Sequence, residues 1–193
     1  CPMRRGELVP RDAVALARAA GVADSLELIN PYRFREPIAP AAAADREGKR
    51  IVQKRILRAF GILSERHEFM IVEGAGGIMV PLTSRTTFLD LAEELNLPVL
   101  IVARPNLGTV NHTLLTVNAL RSRSIPIAGI CINDSKGGAQ GVAERTSPAL
   151  IARMSSVPVV ATIRHGTENM TELADLLFKI KKRPLRRSEI RSR

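Results

Sequence analysis

The chain has 193 residues, the size of a single domain, and its 45% apolar content is enough to bury a core. No apolar run reaches the length that crosses a bilayer and the start shows no signal-peptide pattern, so no membrane partner is expected and the expected location is cytoplasmic. The formal charge of +10 raises nucleic acid as a partner, but residues 179–193 hold eight Lys or Arg and one Glu, net +7, leaving +3 for residues 1–178. That end has no aromatic residue for base stacking and no apolar face, so it reads as a solvated tail, and no nucleic-acid partner is expected.

In chain order, residues 12–20 (DAVALARAA) have the pattern of a short amphipathic helix, with Asp12 placed to cap it and Gly21 to end it. A loop containing NPYRF and EPIAP comes next, made irregular by its prolines. Residues 45–66 then read as one longer helix with an apolar stripe of Val52, Ile56, Ala59, Phe60 and Leu63. From residue 68 onward short apolar runs alternate with helical periods. The expected strands are 69–73 (FMIVE), 98–103 (PVLIVA), 126–132 (PIAGICI) and 157–163 (VPVVATI), each rich in Val or Ile and expected to be buried. The expected helices between and after them are 87–95, 109–123, 139–154 and 168–182. This is an α/β pattern of repeated units around a parallel sheet, in which ligands sit outside the carboxyl ends of the strands. Cys1 and Cys131 are far apart and are expected to be free thiols, Cys131 on a buried strand.

The segments just after the strands carry the chemistry. In IVEGAGGIMVPL, residues 71–82, a strand would deliver Glu73 to the mouth of the sheet, and Gly74, Gly76 and Gly77 would let backbone approach a ligand. A carboxylate there suits magnesium beside phosphates, although a surface glutamate before a glycine-rich turn explains the same residues. In ARPNLGTVNHTLLT, residues 103–116, Gly108 leads into a helix whose first-turn N–H groups form an anion site, with Asn111 and His112 in that turn. No acid–base role is assigned to His112. Asn133-Asp134 ends the third strand, where an amide could read a base edge, and the same dipeptide is also ordinary turn chemistry. Asp12, taken alone, needs no role beyond capping its helix.

Taken in order, GELVPRDAVALARAAG, NPYRFREPIAP, VEGAGGIMVPL, LPVLIVARPNLGTVNHTLLT and GICIND resemble the dethiobiotin synthetase family over roughly residues 1–135. The resemblance implies a doubly wound, P-loop NTPase-like α/β fold and a homodimer. The implied enzyme uses ATP and Mg2+ to convert 7,8-diaminononanoate and CO2 into dethiobiotin, by carbamoylation, phosphoryl transfer to the carbamate and ring closure. It implies Asp12 and Glu73 as magnesium carboxylates, and Glu73, Gly74, Ala75 and Gly76 along the nucleotide. Asn133 and Asp134 fall on the adenine side, and Gly108, Thr109 and Asn111 at the element that receives the substrate carboxylate from the partner subunit.

The chain departs from that pattern twice. No G-x-x-x-x-G-K-[ST] occurs in its 193 residues, so about one βαβ unit of roughly 30 residues, with the phosphate loop and the family's catalytic lysine, is expected to be missing ahead of Cys1. No catalytic residue is therefore assigned. Later, Arg164-His165-Gly166 stands where the family has a proline-containing loop beside the adenine. The expected organisation is a single incomplete domain over 1–182 and a disordered basic tail over 183–193. Two other readings stand beside the synthase: an inactive shortened homologue or interaction partner of an intact enzyme, and a related nucleotide-dependent amidotransferase-type protein.

Overall fold

The structure, a computed structural model, describes residues 1, 3–4, 7–137, 141–167 and 171–181. Residues 183–193 of the expected tail therefore lie outside the described residues. The chain divides into two compact units, Cys1–Leu95 and Asn96–Arg193.

The first unit opens with a small antiparallel pair, β1 (Met3–Arg4) and β2 (Glu7–Leu8), which the sequence patterns do not signal. Helix α1 (Arg11–Ala20) comes next and closes on Gly21, as expected. Its N-cap is Pro10 and carries no side-chain cap, so Asp12 lies inside the first turn and does not cap the helix. Helix α2 (Leu26–Ile29) is an unforeseen short turn, and α3 (Pro40–Arg46) and α4 (Gln53–Arg66) replace the single helix expected over 45–66. The break has a local cause: the amides of Gly48 and Lys49 take the carbonyls of Asp45 and Ala44, which ends α3 and turns the chain away. The NPYRF loop then fixes the start of α4, because the Tyr32 hydroxyl accepts from the Val52 amide at 2.8 Å. Helix α5 (Phe88–Leu95) completes the unit. Its core joins buried Ala44, Ile51, Leu82 and Leu91 with Tyr32, Phe34 and Phe88 packed around them.

A buried carboxylate ties this unit's loops together. Asp24 accepts from Arg66 Nη1 at 2.9 Å and meets His67 Nε2 at 2.5 Å. The hydrogen bond from Arg66, then that from His67, holds the Asp24 carboxyl below its ordinary value.

The strand expected at 69–73 does not form: these residues pair with no described strand, and Ile71 is 71% exposed. Val-Ile composition alone does not make a strand, since its backbone groups need a neighbour to bond.

The second unit has the expected order of strands and helices, but of its three strands only the central one is largely buried, since Val102 on the first is 60% exposed and the last has no fully buried residue. Strands β3 (Val99–Ala103), β4 (Ile127–Asn133) and β5 (Val159–Ile163) form a parallel sheet in the order β3-β4-β5. Helix α6 (Thr109–Ser122) joins the first two strands and α7 (Val142–Ser155) the next two, and the two helices pack on each other. Helix α8 (Thr171–Lys181) packs on β5. The central strand β4 is the most buried, and Ile130 and Ile132 join Val117, Leu120 and Ile151 among the least exposed side chains. Cys131 is a buried free thiol, as expected, and burial raises its pKa. Gly129 fits this sheet by lacking a side chain: a Cβ there would lie 2.7 Å from Val160 Cγ1 on β5.

Candidate functional site

In the first unit, Glu73 and the glycine-rich segment Gly74–Gly77 are exposed. Glu73 thus reaches solvent from an unpaired segment and not from the end of a buried strand. The loop is anchored downstream, where Ile78 and Val80 carbonyls accept from the amides of Leu89 and Phe88 at the start of α5. Gly74 lies against the Phe88 ring, 3.3 Å from where its Cβ would be. Asp12 is exposed on α1. Among the described residues neither Asp12 nor Glu73 makes an ion pair, and no cluster of three or more His, Cys, Asp or Glu forms. Each is an exposed carboxylate of the chemistry Mg2+ takes, an ion that keeps most of its water and needs only one or two carboxylates.

In the second unit the sheet is parallel, so β3, β4 and β5 deliver their carboxyl ends to one edge. That edge carries the start of α6, the Asn133-Asp134 turn and the Arg164–Thr167 loop. Gly108 is the N-cap of α6, with φ +92, a conformation that costs a residue with a Cβ about 1–2 kcal/mol. Thr109 is 6% exposed, and its Oγ1 is buried without a hydrogen-bond partner. That hydroxyl is thus a buried polar group left unpaired at the start of the helix. Asn111 and His112 are exposed in that turn.

Asn133 pairs with Ile163 at the strand ends, and the Asp134 amide donates to the Ile163 carbonyl at 2.9 Å. Asp134 is occupied with its own turn, its Oδ1 accepting from the amides of Gly137 at 3.0 Å and Lys136 at 3.3 Å. This leaves the Asn133 amide as the group at this strand end that can read a ligand edge. His165 has a place that no sequence motif gives it: its Nδ1 is 3.2 Å from the Ser135 carbonyl, which joins the loops after β4 and β5. The signal was the departure at Arg164-His165-Gly166, but no spacing rule says which loop such a histidine would meet. The family resemblance singled out Thr109, but not that its hydroxyl is buried without a partner.

The family pattern described as AAA domain matches residues 1–171. The chain is 55% identical over 124 residues to the ATP-dependent dethiobiotin synthetase BioD of Anaeromyxobacter dehalogenans (strain 2CP-C), covering 64% of this chain and 56% of that relative. It is 46% identical to the ATP-dependent dethiobiotin synthetase BioD of Anaeromyxobacter sp. (strain K), over 80% of this chain and 69% of the relative. It is 37% identical to that of Thermodesulfovibrio yellowstonii, over 87% of this chain and 73% of the relative. The chain thus spans little more than half the length of the first of these relatives. With a parallel α/β sheet of the P-loop NTPase-like class and identity at this level sustained along the sequence, the chain belongs to the dethiobiotin synthetase family.

Proposed function

We propose that this chain supplies most of the site of a dethiobiotin synthase, which uses ATP and Mg2+ to carboxylate 7,8-diaminononanoate with CO2 and close the ureido ring. The observation that carries this reading is Glu73, exposed and without an ion pair among the described residues, leading into backbone that is nearly bare of side chains through Gly77. Asp12 and Glu73 would hold Mg2+, which when bound supplies neutralisation of phosphate charge. Gly74–Gly76 then leave room for phosphate oxygens to approach the main chain, and Asn133 reads the adenine edge while Asp134 fixes the turn beside it. The α6 start, with the open Thr109 hydroxyl and Asn111, receives the diamine's carboxylate. In this reading the protein is a cytoplasmic homodimer, with residues 1–182 acting as one domain. The exposed Val102, Leu107 and Leu115 of the second unit support a subunit interface there.

The test joins the chain to a phosphate-loop segment of the family and measures dethiobiotin by mass spectrometry from the diamine, bicarbonate and Mg-ATP. Product is expected. A joined chain that folds and binds ATP yet makes none would remove the synthase assignment.

A further inference from the structure

The first unit holds a cavity of about 540 Å³ that the proposed synthase site does not use, between α3 and the Leu82–Thr86 loop. Its floor is apolar, made by the buried side chains of Ala44, Ile51 and Leu82. Its rim is charged and exposed: Lys49, Arg50 and Arg85, opposed by Asp45.

The three cations are not equivalent. Lys49 Nζ is 2.8 Å from Glu47 Oε2 and lies over the Phe34 ring, so its charge is already engaged. Arg33, Arg46 and Arg66 of the same unit are likewise held by carboxylates. Arg50 and Arg85 make no ion pair among the described residues, although both line one concavity. The backbone that carries Arg85 is tied down: Thr83 Oγ1 accepts from the amides of Arg85 and Thr86, and the Thr86 carbonyl accepts from those of Leu82 and Thr83. The result is two uncommitted guanidinium groups, one on a fixed turn, above the apolar side chains of Ala44, Ile51 and Leu82.

We propose that this cavity binds a small organic oxyanion, its charged head held by Arg50 and Arg85 and a short apolar stem lying on Ala44, Ile51 and Leu82. Guanidinium groups present planar, paired donors that match phosphate and carboxylate oxygens. The floor adds attraction for each methylene it removes from water. Asp45 repels a second negative charge at the rim, which favours a monoester or a monocarboxylate over a polyphosphate. The site stands independently of the synthase reading.

The test uses the full chain, with methyl resonances of Ala44, Ile51 and Leu82 followed by NMR during separate titrations with inorganic phosphate, n-butyl phosphate and pentanoate. At least one of the two stemmed anions is expected to bind about fivefold or more tighter than inorganic phosphate. Whichever binds names the head group, phosphate or carboxylate. Arg50→Ala and Arg85→Ala should each weaken it about three- to tenfold, and Arg85→Lys by less. Asp45→Asn should tighten it. All three positions are exposed, so the variants are expected to keep the fold. Floor methyls that do not move at tens of millimolar of either stemmed anion would overturn the proposal. So would affinities independent of the stem, or shifts that persist unchanged in both alanine variants.

Discussion

The His165 ring lies directly against Gly137: a Cβ on that glycine would be 3.0 Å from the ring's Cδ2, and φ at Gly137 is +69. Two loops at the carboxyl edge of the sheet are therefore packed through one imidazole and one position without a side chain. Gly137→Ala is expected to lose about 1–2 kcal/mol from the left-handed backbone alone, and more from the ring it displaces. Urea unfolding gives the loss, and faster amide exchange at Asp134–Gly137 locates it. Adding His165→Ala should restore the steric part and leave the backbone part.

A second glycine acts through contact. At Gly129 a methyl group would meet Val160 Cγ1 at 2.7 Å and Cγ2 at 3.1 Å, across the centre of the sheet. Valine is stiff at χ1 and does not yield easily. Gly129→Ala should cost about 2–3 kcal/mol, and Val160→Ala in the same chain should return much of it. Equal thermal midpoints for Gly129→Ala and the parent would show that the sheet has slack at this point.

Helix α7 ends on Ser156 at φ +53, a left-handed C-terminal residue with a Cβ. The residue is exposed and has no side chain to lose from the core. Ser156→Gly is expected to raise stability by about 0.5–1 kcal/mol, read as a higher urea midpoint. A lower midpoint would mean that unfolded-chain entropy outweighs the relief of strain.

The Asp24 carboxyl is held below the ordinary carboxylate range, first by the hydrogen bond from Arg66 and then by that from His67. A depressed acid contributes stability that is complete above its unfolded value and disappears as pH falls through its folded value. From near pH 4 downward the parent should therefore lose stability more steeply than Asp24→Asn, which cannot titrate. Parallel pH profiles for the two proteins would show that Asp24 titrates alike in both states.

In a chain joined to a family phosphate-loop segment, Glu73→Gln and Asp12→Asn should each weaken magnesium about 10- to 100-fold and reduce turnover strongly. The amides keep the shape and remove the attraction for the cation. Parent-like rates at limiting magnesium in either variant would take that residue out of the metal site.

What could be read from the sequence depended on whether the signal was local. The strands ending at Ala103, Asn133 and Ile163 were legible because each is an apolar run between turn residues and has a parallel neighbour to complete it. The run 69–73 has the same composition but pairs with no strand among the described residues, and period and composition do not report pairing. The break at Gly48 lies ahead of the apolar stripe, which begins only at Val52, and the carbonyls of Ala44 and Asp45 end the helix there through backbone bonds. Asp12 carried the right residue type for a cap but lies inside the first turn. Of the positions singled out, Gly108 does lead into a helix and Asn133 does end a strand, whereas Glu73 stands on an unpaired segment and not at the strand end expected for it. The meeting of His165 with Gly137, the open Thr109 hydroxyl and the cavity below Arg50 and Arg85 each join segments separated along the chain or arise from burial, which no motif records.

The order β3-β4-β5 is also the order of synthesis, and each strand pairs with the one made just before it: Val99 with Ile127, then Ile130 with Val159. Every contact in this sheet therefore closes a loop of only about thirty residues, and closure entropy grows slowly with loop length. Among the described strands none waits for a distant partner. As the chain leaves the ribosome, β4 can dock once α6 has emerged and β5 once α7 has, so this half can mature by accretion.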